Sequence, residues 1–400
     1  MIHTNPSMNT KALIAILALV AITLTAADTT GSAIGTFTRH GQMHTYPQSM
    51  SFAIAGNCRN GTAMEIAAGT VRDNGTTQAV LSDIQHAIDG ENLHFAVLLG
   101  DGVNSGTKRQ WRRLQQKLTP LQQTPIDGGT GLFSILPVVG DHEHISDDKL
   151  ERWGSMFPGA GTPIGYGRVA SWYHFDIVSA QHRWRMIVLD SGKDALGSRW
   201  DEQVAWLEQA VEESFDSLIV FVHDPVADLA GRTETPPNTN TSQLLSIIDM
   251  AVSPMKQRGV FFAGGHVNQV MLPDGPRGTL HLGAGGCGGV TQPLRRWGSG
   301  PQGSGLRLEP MFDLSLVGEL QVWAEDHDID EARLEEAQGS GAYEGFTAVI
   351  SPKVWATTGW WTAQLDGPNV QLGFRHRTPD GSFVTRYRIG YTPHNGWKSI

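Results

Sequence analysis

From residue 51 onward, short apolar runs rich in β-branched residues alternate with stretches of helical period. SFAIAG (51–56) reads as a strand ending in Gly. Within 76–89, Val80, Ile84, Ala87 and Ile88 recur at the i, i+4, i+7, i+8 spacing of one helix face. HFAVLLG (94–100), LPVVG (136–140), WRMIVLD (184–190), SLIVFVH (217–223) and GVFFAGG (259–265) read as further strands. Helices are expected over 200–213, where Trp200, Val204, Leu207 and Val211 line a face, and over 241–257. Near-continuous apolar strands interleaved with helices predict an α/β fold in which helices cover a largely parallel or mixed sheet. After about residue 280 the helical period fades. FTAVIS (346–351), WWTAQL (360–365), VQLGFRH (370–376) and SFVTRYRIG (382–390) are strand-like, and the turn signal DGS joins the last two. Trp360 and Trp361 point to opposite faces of one strand, which suggests one packed face and one wet one. There is no internal repeat.

Residues 12–27 (ALIAILALVAITLTAA) are uncharged and almost wholly apolar, with Lys11 before them and Asp28 after. The run is shorter than the about 20 residues a spanning helix needs. A short apolar core behind one positive charge, ending in small residues, reads as a secretory signal over 1–27, with an uncleaved membrane anchor as the alternative. Either way the folded part is expected outside the cytoplasm, secreted or periplasmic, where a Cys58–Cys287 disulfide becomes available. Residues 28–46 are Thr/Gly/His-rich and read as a linker, 47–293 as the core, 294–342 as an irregular Gly-rich and acidic insertion, and 343–400 as C-terminal strands. Lys plus Arg number 30 against 40 Asp plus Glu, a formal charge of −10. That balance argues against a non-specific nucleic-acid binder, which needs a cationic surface. Gly is frequent, 47 of 400 against a usual share of about 7%, which points to many tight turns and backbone-lined sites.

Chemistry concentrates just past the strands. The chain reads Gly56-Asn57-Cys58-Arg59, Gly100-Asp101-Gly102, Gly140-Asp141-His142-Glu143, Val222-His223-Asp224-Pro225 and Gly264-Gly265-His266-Val267-Asn268. Ligands of α/β sheets bind at the carboxyl ends of strands. A lone Gly-Asp there is ordinarily a turn or a helix cap, and a lone His a satisfied core residue. Five such endings in order converge on one edge, and their carboxylates and imidazoles suit Zn, Mn or Fe.

These residues resemble the calcineurin-like metallophosphoesterases, whose motifs run Asp-x-His, Gly-Asp-x-x, Gly-Asn-His-Glu, a strand-end His and Gly-His-x-His. The matching stretches are NCR (57–59), GDGVNSG (100–106), GDHE (140–143), VHDP (222–225) and GHVN (265–268), with VLDS (188–191), WDEQVAWLEQAV (200–211) and LGAGG (282–286) in support. The resemblance covers about 50–390, apart from 294–342. It implies a four-layer αββα sandwich of two mixed sheets with a metal site at one edge, and a phosphoester as substrate. One family metal position corresponds here to Asn57, Arg59, Asp101 and Asn268, the other to Asp101, Asp141, His223 and His266. The second keeps four good ligands. The first retains one carboxylate and two amides, and Arg59 puts a fixed positive charge where a cation belongs. Repulsion between unit charges 4 Å apart is worth about 4 kcal/mol at an effective dielectric near 20. The expectation is one divalent transition metal (Fe, Mn or Zn), with at most a weak second.

The resemblance further implies His142 as the catalytic proton donor, Arg59 as a phosphate-binding partner, and Glu143 as the group that orients His142. Asp224 is read as fixing the His223 tautomer or as a turn residue, His144 as a loop residue, and Asp190 as a support of the core edge. A Cys58–Cys287 disulfide would brace two site loops. Two functions stay open: a metal-dependent phosphoester hydrolase, and a catalytically impaired relative that binds a phosphorylated ligand or a protein partner. The acidic segment 323–336 as an interaction surface is a weaker third, since charge runs are usually solvated faces. Oligomeric state is open.

Overall fold

The computed structural model describes residues 43–46, 49–59, 75–91, 93–122, 125–126, 131–132, 134–146, 150–157, 160–162, 170–225, 239–251, 257–263, 268–273, 279–288, 307–310, 346–350, 358–378 and 380–400. The segment 12–27, most of 28–46 and of 294–342, and His266 lie outside the described residues. Elements run in the order β1 Met43–Tyr46, β2 Met50–Ala55, α1 Gly75–Glu91, β3 Phe95–Leu99, α2 Lys108–Gln122, β4 Pro125–Ile126, β5 Gly131–Leu132 and β6 Ser134–Val138. Then follow α3 Asp141–His144, α4 Glu151–Met156, β7 Tyr173–Ser179, β8 His182–Val188, α5 Lys193–Leu196, α6 Arg199–Glu212, β9 Ser217–Val222 and α7 Thr239–Ala251. The chain closes with β10 Gln257–Ala263, β11 Asn268–Pro273, β12 Leu280–Ala284, β13 Arg307–Pro310, β14 Phe346–Ile350, β15 Gly359–Asp366, β16 Asn369–Arg377, β17 Phe383–Thr392 and β18 Gly396–Ser399.

Among the described residues one sheet has the order β1-β7-β8-β9-β10-β12-β11-β14-β13 and a second β18-β17-β16-β15-β2-β3-β6, with β4 and β5 forming a separate two-stranded ribbon. Both sheets are mixed. β8, β9, β10 and β12 run parallel in the first, and β2, β3 and β6 in the second. The sheets pack face to face, with Phe52 stacked on Phe95 at 4.8 Å and meeting Phe221 of the other sheet edge-on at 6.2 Å. Polar pins cross the interface: Tyr173 Oη donates to Pro137 O (2.8 Å), and Trp184 Nε1 to Gly367 O (2.8 Å). A buried indole N–H or phenol O–H usually finds such a partner. On one outer side, Val80, Leu81 and Ile84 of α1 and Trp111, Leu114, Leu118 and Leu121 of α2 join this core. On the other, Trp200, Leu207 and Val211 of α6 and Leu244 and Ile247 of α7 pack on Ile187, Leu189, Val220 and Val222. The fold is therefore α/β, two mixed sheets flanked by helices.

Three expectations change. Trp360 and Trp361 are both fully buried, because β15 lies inside its sheet between β2 and β16 and has both faces covered. Trp360 donates to Asp83 of α1 (2.9 Å), and Trp361 packs against Phe374 and Tyr387. Residues 43–46, expected in the linker, form β1 in parallel with β7. Residues 307–310, within the segment expected to be irregular, form β13 beside β14.

Candidate metal centre

The carboxyl ends of β2, β3 and β6 in one sheet and of β9 in the other deliver their next residues to one place. Gly100 makes this approach feasible. It has φ +79°, and a Cβ there would lie 2.7 Å from both Gly140 N and His223 Nδ1. Asn57 and Asp101, both fully buried, also take positive φ (58° and 53°), the left-handed conformation that Asn and Asp adopt more readily than other side-chain-bearing residues. The Asn57 N–H donates to Gly100 O (3.2 Å), tying the first loop to the second.

Asp101 is the hub. Its Oδ1 lies 3.4 Å from His223 Nε2, and its Oδ2 lies 3.4 Å from Arg59 Nε and 3.9 Å from His142 Nε2. His223 Nε2 is also 3.4 Å from Asp141 Oδ1. Asp101, Asp141 and His142 offer ligand atoms within 4.8 Å of one another. Asp141 is two-thirds exposed (66%), whereas His223 and Asp101 are buried. So the group opens to solvent on the Asp141 side. Arg59, itself buried, donates from Nη1 to Asn104 Oδ1 (3.0 Å). The His142 ring meets Asn104 O through Nδ1 (2.6 Å), which makes Nδ1 the protonated nitrogen and leaves Nε2 facing Asp101.

Electrostatics follow from this crowding. Burial, together with the neighbouring Asp141 and Glu143, raises the Asp101 carboxyl well above its ordinary range, against the pull of His223 and Arg59. Burial disfavours the His223 imidazolium, yet Asp101, Asp141 and Asp224 outweigh it and hold its pKa well above the usual histidine value. Burial would also raise Asp141, but the hydrogen bond and charge of His223, with His142, hold it well below the carboxylate range. The residues fit a divalent ion: Asp101 Oδ2 is buried with no hydrogen-bond donor, and two carboxylates face imidazole nitrogens. The Nδ1 of His223 meets Leu99 O (2.8 Å), so in the neutral ring Nε2 carries the lone pair that faces Asp101 and Asp141.

Several roles read from sequence change. Glu143 does not orient His142. Its carboxylate accepts the N–H groups of Asp101 (2.9 Å), Gly102 (2.8 Å), Val103 (3.2 Å) and Gly140 (2.8 Å), and so ties the third site loop to the second. The ring nitrogen of His223 is fixed by Leu99, not by the Asp224 carboxylate; Asp224 uses its backbone, accepting from Thr241 Oγ1 (3.0 Å) and donating to Ser191 Oγ (3.2 Å). His144 is a buried partner of Asp190 (3.0 Å), which also accepts from Ser171 Oγ and from Gly192 N (2.9 Å). That pair fastens α3, the helical turn carrying Asp141 and His142, to the end of β8. Asn268 is fully buried at the start of β11, opposite Ala284. Asn104, which touches both Arg59 and His142, was not singled out in the sequence; its only signal is its place in the GDGVNSG loop. Cys58 and Cys287 form a disulfide with Cα atoms 5.0 Å apart, and Cys287 N donates to Gly56 O (3.0 Å). Together these hold the loop that carries Asn57 and Arg59.

The sequence matches no protein-family profile and no curated protein. Solved structures do resemble it. A structure of PhoD is 12% identical with a TM-score of 0.50, over 88% of this chain and 72% of that one. Purple acid phosphatase PPD1 from yellow lupin (Lupinus luteus) seeds is 13% identical with a TM-score of 0.49, over 86% of this chain and 54% of that one. GAP50, the anchor in the inner membrane complex of Plasmodium, is 13% identical with a TM-score of 0.48, over 85% and 88%. At such identities the likeness is one of fold.

Proposed function

We propose that this chain is a metal-dependent phosphoester hydrolase of the calcineurin-like type. In this reading one divalent ion (Fe, Mn or Zn) is held by Asp101, Asp141, His223 and the sequence-expected His266. Arg59 stands beside it in place of a second ion, and Asn57 and Asn268 are weak amide donors at most. The observation that carries the reading is the shared approach of His223 Nε2 to Asp101 and Asp141, 3.4 Å each, with Arg59 Nε 3.4 Å from the other oxygen of Asp101. When bound, the ion supplies Lewis acidity and a water of lowered pKa.

The chain's own residues do the rest. Arg59 offers a planar guanidinium to the non-bridging phosphoryl oxygens. His142, with Nδ1–H held on Asn104 O, serves as general acid only in its doubly protonated form, giving the Nε2 proton to the leaving oxygen and returning to the neutral Nδ1–H ring. Glu143 holds the Asp101 loop still through four backbone hydrogen bonds. The Cys58–Cys287 disulfide supports export through residues 1–27, with anchoring by residues 12–27 as the alternative, because disulfides persist outside the cytoplasm.

A second reading has its own support. Arg59 pairs with Asp101, which suits a site that binds a phosphorylated ligand or partner without turning it over. Hydrolysis of an aryl phosphate monoester and diester with added Mn, Zn or Fe separates the two. The enzyme reading expects metal-dependent turnover that falls by about 100-fold or more in Asp101→Ala and His223→Ala. Background that ignores both the metal and these substitutions favours the binding reading. His142→Ala should lower turnover and leave metal content unchanged; metal lost with activity makes His142 a ligand instead.

A further inference from the structure

Helix α2 leaves the Asp101 loop and carries Lys108, Arg109, Arg112, Arg113 and Lys117 with no Asp or Glu along its length. Its apolar side, Trp111, Leu114, Leu118 and Leu121, is buried in the core. Lys108, Arg109, Arg112, Arg113 and Gln116 are exposed, at the i, i+1, i+4, i+5, i+8 spacing of one face. Among the described residues, none of the four cations is in an ion pair. In a chain of formal charge −10 this is a local reversal of sign. Lys117, partly buried behind the face with Nζ 3.5 Å from Cys58 O, is pushed down to about 8, by burial first and then by Arg113.

The patch is coupled to the site by position. Gln110 Oε1 accepts from Ser105 N (2.8 Å) and Ser105 Oγ (3.1 Å), which fixes the first turn of α2 to the loop whose Asn104 touches Arg59 and His142. Four residues from Asn104 to Lys108 reach at most about 14 Å, and Arg112 lies one further turn, about 6 Å, along the axis. We propose that this face of α2 is an anion track leading from the site, selecting a substrate with a linear run of phosphoryl groups. One end of that run sits at the Asp101–Arg59 group and the remainder lies along Lys108, Arg109, Arg112 and Arg113; the proposal rests on the phosphoester reading above. The exposed face holds no aromatic residue on which bases would stack and no apolar residue to enter a bilayer. A bare phosphate chain fits it better than a nucleic acid or a membrane.

Calorimetric titration of the full chain, without added metal that the ligand would chelate, tests this. The probes are orthophosphate and a linear polyphosphate of about 15 units, long enough to span the four cations at the spacing above. The polyphosphate should bind at least about tenfold more tightly, with an affinity that falls steeply with salt. The triple variant Arg109→Gln/Arg112→Gln/Arg113→Gln should reduce the logarithmic salt slope by about one for each cation that contacts the chain and leave orthophosphate binding unchanged. The triple replacement by Lys should keep the tight binding, which separates lost charge from lost structure. Equal affinity for the two probes, or polyphosphate binding unmoved in the Gln variant, overturns the track. Single-stranded DNA or phosphatidylserine vesicles bound more tightly than polyphosphate, and lost in the same variant, overturn the assigned ligand class. Orthophosphate binding indifferent to Arg59→Gln contradicts the underlying site reading instead.

Discussion

Four backbone N–H groups from two loops end on the single carboxylate of Glu143, and the geometry of Asp101 depends on that convergence. Glu143→Ala strands those donors in a buried place, so it should destabilise the fold by about 3 kcal/mol or more, read by urea unfolding, and weaken metal binding. The sequence pointed to Glu143 as part of the site but to the wrong partner, because bonds to distant backbone have no sequence spacing to announce them. His144 reads from sequence as a loop residue for the same reason: its partner Asp190 lies 46 residues on, past the end of β8. His223 yields a pH prediction. Its pKa lies well above the ordinary value in the metal-free protein, and ligation through Nε2 requires that nitrogen to lose its proton. Apparent metal affinity should therefore drop as pH falls through the raised His223 value, with proton release seen by calorimetry in buffers of different ionisation enthalpy. An affinity flat with pH would count against His223 as a ligand. Asp176 behaves in the opposite sense. Burial would raise its pKa, but Arg185 and Arg183 hold it below the carboxylate range. Its stabilisation is complete above about pH 4, the ordinary carboxylate value, and is lost as pH falls through the lowered one. Asp176→Asn should thus be less stable at neutral pH and lose less on acidification, which acid titration of unfolding would reveal.

The elements themselves were largely legible. Strands expected at 51–56, 94–100 and 217–223 appear as β2, β3 and β9 with boundaries shifted by a residue, since a continuous apolar run ending in Gly or His has few alternatives in an α/β chain. Helix α2 is harder to see in the sequence, although Trp111, Leu114, Leu118 and Leu121 repeat at i, i+3, i+7, i+10; the dense charges between them mask the stripe. The neighbouring tryptophans of β15 misled because alternation predicts opposite faces, and the wetness of a face depends on what later strands and α1 cover. Trp361→Ala removes a fully buried indole and should cost about 3–5 kcal/mol, measured by urea unfolding; a loss under about 1 kcal/mol, the scale of an ordinary surface change, would place that side chain at a surface. The Cys58–Cys287 link closes a loop of 229 residues. Chain entropy alone assigns it about 5 kcal/mol at most. Cys287→Ser should lower stability and, by freeing the turn that carries Arg59, also weaken orthophosphate binding.

At the scale of the molecule, the sandwich brings together endings that no single sheet could supply. Asp101 and Asp141 follow strands of one sheet, and His223 follows a strand of the other. That convergence was inferable from the order of strand ends, while the distances were not. The central claim is that this junction grips one divalent ion, with Arg59 where a companion ion would otherwise sit. Elemental analysis of the purified protein after saturation with manganese or zinc and removal of excess tests it most directly. The account predicts one metal atom per chain, lost in both Asp101→Ala and His223→Ala. Two atoms per chain, or a content that neither substitution changes, would contradict it.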